Sequence, residues 1–129
     1  MSTKQIVQKL KLKEDEKAIF LNAPECYFDK IGQIPKRVQL LQSLEEDMDF
    51  IQVFVKDRTE LENLLPIVKT KLKTKGKLWI TYYKGTAKQK TDINRDTINS
   101  YASTLGLKGI FIISIDDDWS ALRLKIIEK

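Results

Sequence analysis

Four short apolar runs, Ala18–Leu21, Phe50–Val55, Leu78–Tyr83 and Ile110–Ile115, recur along the chain with helix-forming segments between them. The segment after Phe50–Val55 carries Leu61, Leu64, Leu65, Val68 and Leu72 at the helical period. The one after Leu78–Tyr83 carries Ile93, Ile98, Tyr101, Ala102 and Leu105. Strands that alternate with helices require a parallel sheet joined by right-handed crossovers. Ala18–Leu21 is apolar without alternation, the pattern of a strand covered on both faces. Only the last segment, Ala121–Ile127, alternates, with Leu122, Leu124 and Ile126 set against Arg123, Lys125 and Ile127. That pattern predicts a half-exposed strand returning antiparallel as a hairpin, its charges opposing pairing with a neighbour.

Local signals place the remaining elements. Ile6, Val7 and Leu10 suit a short helix over Thr3–Leu10 capped by Ser2 or Thr3, with Lys11–Lys17 a charged connector. Pro24 and Glu25 suit the start of a helical turn. Tyr27, Phe28 and Ile31 are then the buried side of a short helix ending near Gly32. Arg37–Leu44 reads as a second strand. Asp57 or Thr59 caps the longer helix, which Pro66 is expected to kink and which Gly76 ends after Lys69, Lys71, Lys73 and Lys75. Asp92 is expected to cap the helix running to Leu105, with Arg95 pairing to it on one face.

The 129 residues predict one domain over 1–129, with 1–16 a helix and connector ahead of the sheet. No apolar run approaches the roughly 20 residues of a membrane span. Met1–Gln5 has no apolar core or cleavage site, so no secretory signal is expected. The single cysteine, Cys26, forbids an internal disulfide, and cytoplasmic residence follows as the expectation. Of the 23 basic residues 19 are Lys, and a Lys-rich surface is more often solvated than nucleic-acid-binding. With no histidine and one cysteine, neither a metal site nor a serine triad through Ser120 is expected.

Ligands of such sheets sit at the carboxyl ends of the strands. Seven residues are candidates there: Asn22, Pro24, Lys84, Asp92, Arg95, Asp116 and Trp119. Asp116–Asp118 reads either as a cation or base site or as a tight turn, the turn being favoured because adjacent carboxylates diverge. Trp119 reads as a core anchor or as a stacking surface for a ligand. Asp92 and Arg95 read as a cap with an ion pair, or Arg95 with Lys84 as an anion site at a helix N-terminus. Cys26 reads as an apolar thiol. No residue is assigned a catalytic role.

Leu72-Lys73-Thr74-Lys75-Gly76-Lys77-Leu78-Trp79 resembles the helix-to-strand turn of class I methyltransferases, whose last strand also runs antiparallel. Three further phrases are similar to a small bacterial family of unknown function with that architecture: Leu21–Pro24, Thr91–Asp96 and Asp117–Leu122. The resemblance implies an α/β fold, a three-layer Rossmann-like sheet, mostly parallel, with a C-terminal antiparallel hairpin strand. The methyltransferase comparison also implies S-adenosylmethionine, but the family's glycine-rich first loop is replaced here by Asn22-Ala23-Pro24-Glu25. Its ribose-holding acid is replaced by Gln42-Ser43, with acids only at Glu45 and Glu46. Each Cβ in the first loop fills space that the cofactor would use, and Pro24 removes a backbone donor. The expectation is a protein that binds a small ligand or a protein partner, monomeric or weakly dimeric, with no cofactor and no methyltransferase activity. The alternative is a methyltransferase-like enzyme with a divergent cofactor loop.

Overall fold

A computed structural model describes residues 5–25, 27–87 and 91–127. The expected cap at Ser2 or Thr3, Cys26, and Lys88 and Lys90 of the loop after the Trp79 strand lie outside the described residues. Six strands form one sheet in the order β2-β1-β3-β4-β6-β5: β1 (Lys17–Leu21), β2 (Gln39–Leu41), β3 (Met48–Phe54), β4 (Leu72–Tyr83), β5 (Leu107–Ser114) and β6 (Trp119–Ile126). β1 to β4 pair in parallel. β6 inserts antiparallel between β4 and β5. The sheet is therefore α/β, mostly parallel, with a C-terminal antiparallel strand. No helix among the described residues is long and apolar enough to cross a membrane.

Side-chain alternation sorts the strands into two cores. Ile51 and Val53 of β3 and Leu78 and Ile80 of β4 pack with α3 (Arg58–Lys71) and α4 (Arg95–Thr104) through Leu61, Leu65, Ile98 and Ala102. Phe50 and Phe54 of β3 and Trp79 of β4 join Val7 and Leu10 of the α1 segment (Ile6–Lys9) and Tyr27 of α2 (Tyr27–Lys30). Trp79 is 1% exposed, and its indole N–H donates to the Leu10 carbonyl at 2.9 Å.

Several expectations are corrected. The last strand is interior, and the sheet ends instead on β5, where Phe111 is 56% exposed. β2 has three residues and not eight; it starts only at Gln39, after Arg37 takes a positive φ of 60° and pairs outward with Glu14 and Asp15. The first helix begins at Ile6, after Gln5. Phe28 is 46% exposed, so Tyr27 is the buried residue of α2, with Ile31 buried just beyond its end. The long helix runs unbroken through Pro66 and ends at Lys71, leaving Gly76 inside β4. There the register with β3 jumps from Leu72 to Lys77, and a Cβ on Gly76 would come within 2.7 Å of the Leu72 side chain. Glycine thus serves a close approach within a strand, not a helix C-terminus. Lys71 and Lys73 pair with Glu46 and Asp49 in place of facing solvent alone.

Candidate functional site

β1 reaches the crest of the sheet at Leu21, and the next residue must turn sharply. Asn22 does so at φ 60°, a left-handed conformation that Asn tolerates better than most residues. The side-chain amide of Asn22 donates to the Phe54 carbonyl at the end of β3, at 3.4 Å. Pro24 follows, and its carbonyl accepts the Tyr27 N–H at 3.0 Å, which starts α2.

A cleft of about 450 Å³ opens here. Asn22, Ala23 and Pro24 form one wall, Phe54 and Lys56 continue from β3, and Tyr83, Asp118 and Trp119 close the far side. It sits at the carboxyl ends of β1 and β3, where the chain order reverses about β1 and where open α/β sheets place their ligands. Trp119 is 9% exposed, stacked on Tyr83 with centroids 4.1 Å apart and edge-on to Phe54 at 5.1 Å. It is both an anchor and part of the cleft lining.

The other candidates divide. Lys84 and Arg95 share a second cavity, of about 370 Å³, with Tyr82 and Ser120. There the Lys84 ammonium donates to the Ser114 hydroxyl at 2.6 Å, and Arg95 lies 3.6 Å from Asp96, not on Asp92. Tyr82 is pushed above its ordinary pKa by burial, with Arg95 opposing the shift. Asp92 does not cap its own helix: Asn94 does, accepting from Thr97 N–H at 3.0 Å. The Asp92 carboxylate instead accepts the Arg58 N–H at 2.8 Å, and Thr91 Oγ1 donates to the Lys56 carbonyl. These bonds tie the loop after β4 to the start of α3, which Asp57 caps as expected.

Asp116 is a turn residue. Its Oδ1 accepts from the Asp118 and Trp119 N–H groups at 2.8 and 2.9 Å, and Oδ2 lies 3.5 Å from the Lys30 ammonium. One carboxylate thereby closes the β5–β6 hairpin and sets the Trp119 backbone. Asp116→Ala is expected to cost about 1–2 kcal/mol, given that the group is partly exposed, while Asp116→Asn costs less. Urea midpoints measure this, and a midpoint raised by added magnesium or calcium would return Asp116–Asp118 to the cation reading.

Phe54, Lys56 and Tyr83 line the cleft without having been singled out from the sequence, and Asp118 enters it from the Asp116–Asp118 turn. Their signal was available: they end or follow strands, as Asn22 does. Compared with known families and with curated proteins, the chain matches no family model and no curated sequence.

Proposed function

We propose that the chain is a Rossmann-like, reduced methyltransferase-type domain that binds a small ligand in the cleft between Asn22 and Trp119 and does not turn over S-adenosylmethionine. Asn22 at φ 60° carries the proposal: it makes, with a side chain, the turn that a cofactor-binding loop makes with glycine. Ala23 and Pro24 then line the space themselves. The cleft volume lies within the range of about 300–1,000 Å³ usual for small-molecule sites. Its aromatic side favours a flat group, and the Asn22 amide, Lys56 ammonium and Asp118 carboxylate offer polar anchors.

Strand order supports the second reading, an S-adenosylmethionine-dependent enzyme, since an antiparallel strand follows the parallel ones as in that family. Calorimetric titration separates the two. S-adenosylmethionine is expected to bind more weakly than about 1 mM, a free energy under about 4 kcal/mol; micromolar binding would establish the enzyme reading instead. A screen of flat aromatic fragments should shift the Trp119 indole N–H resonance and leave that of buried Trp79 in place. A screen that moves neither removes the cleft as a ligand site.

A further inference from the structure

At the other end of the sheet, where β4 begins and β6 ends, lies a groove of about 500 Å³. Lys75, Arg123 and Lys125 line it, and among the described residues no acidic side chain does. Arg37, Arg58 and Arg95 each lie on a neighbouring carboxylate. Lys77, one strand position away from the groove, pairs with Glu16 at 2.9 Å. Among the described residues the three groove cations have no such pairing.

Arg123 is the least solvated of the four arginines. Its Nε is buried with no hydrogen-bond partner, and its guanidinium lies 5.9 Å from the centre of the Trp79 ring. Burial holds its pKa below the usual arginine value, with Glu16 the charge that opposes the shift. A partly desolvated cation with no carboxylate bonded to it is unfavourable, and an anion that accepts from the guanidinium fork offsets that cost. The fork geometry suits phosphate, and two flanking ammonium groups suit a group carrying more than one negative charge. Ile127, 43% exposed, adds an apolar flank.

We propose that this groove binds a small phosphate-bearing molecule, its phosphate on Arg123, Lys75 and Lys125 and its apolar part against Ile127. The site is separate from the crest cleft and does not depend on it. The test is titration of the whole chain with inorganic pyrophosphate at constant ionic strength, following the Arg123 Nε–H resonance. A saturable shift with Kd below about 1 mM is expected. Arg123→Met, which keeps a long side chain on Trp79, should weaken binding at least about tenfold. The exposed double change Lys75→Gln with Lys125→Gln should do the same without touching the packing. A non-saturable shift, an equal shift with chloride, or unchanged binding in the lysine double variant would overturn the proposal. So would tighter, steeply salt-dependent binding of single-stranded DNA, which would assign these cations to a nucleic-acid backbone.

Discussion

Replacing Trp79 with alanine is expected to destabilise the protein by about 3–5 kcal/mol. Three physical effects combine at this position. The indole is 1% exposed, so its removal leaves a large cavity among Phe50, Leu10 and Ala121. Its N–H donates to the Leu10 carbonyl, so truncation strands an acceptor in the segment that ends α1. The Arg123 guanidinium also loses the ring over which it rests. Trp79→Phe separates the first effect from the second: it keeps an aromatic ring but strands Leu10, and should cost about 1–3 kcal/mol. Equilibrium urea denaturation gives the totals. Hydrogen exchange then locates the damage. Amides of α1 should lose protection in Trp79→Phe before those of β3, because Leu10 is tied to the sheet through this bond while β3 is held by its own ladder. Equal loss at both would mean that the bond does not fasten α1.

The strands and long helices were legible because their signals are local. Phe50–Val55 and Leu78–Tyr83 announce themselves by apolar content, and α3 and α4 by their period, so nothing distant was needed to place them. Errors arose where a distant partner decides the outcome. Asp92 looks like a cap for the helix that follows it, yet its carboxylate goes to Arg58, 34 residues away. Gly76 looks like a helix terminus, yet the chain is already paired with β3 at Leu72. The last strand alternates as a half-exposed edge would, but it is interior, with Arg123 and Lys125 reaching the groove from its less covered face. At the crest, Asn22, Pro24 and Trp119 do share one cleft, because parallel β1 and β3 end there and antiparallel β6 begins there, whatever their spacing in sequence. Which strand ends share a cavity depends on strand order. Order is a property of long-range pairing, and so Lys84 and Arg95 fall in a different cavity from Asn22.

Gln52 and Thr81 are polar residues buried in the middle of two apolar strands, and they should be nearly as costly to disturb as Trp79. The Tyr27 hydroxyl donates to Gln52 Oε1 at 2.8 Å, and Gln52 Nε2 donates to Thr81 Oγ1 at 2.8 Å. This chain links α2 to β3 and β4 in the core beneath Phe54. Gln52→Leu strands both the Tyr27 hydroxyl and the Thr81 oxygen, at about 1–3 kcal/mol each. Tyr27→Phe strands only Gln52 Oε1 and should cost about 1–3 kcal/mol. Combining Gln52→Leu with Tyr27→Phe should cost less than the sum of the two, because the second change removes a group that the first left unsatisfied. Strict additivity would sink the network as a unit. Alkaline titration gives an independent check. Burial raises the Tyr27 pKa above its ordinary value of 10.0, with the Gln52 bond opposing the shift and the Asp116 charge adding to it. The folded protein therefore keeps a proton that the unfolded chain releases near pH 10. Stability from this group is complete below that pH and falls as the pH rises beyond it. Tyr27→Phe should remove that share of the alkaline decline, leaving the smaller share of Tyr82, whose pKa burial also raises. If the decline above pH 10 is as steep in Tyr27→Phe as in the parent, the hydroxyl titrates as freely as a surface tyrosine and is not locked beneath the sheet.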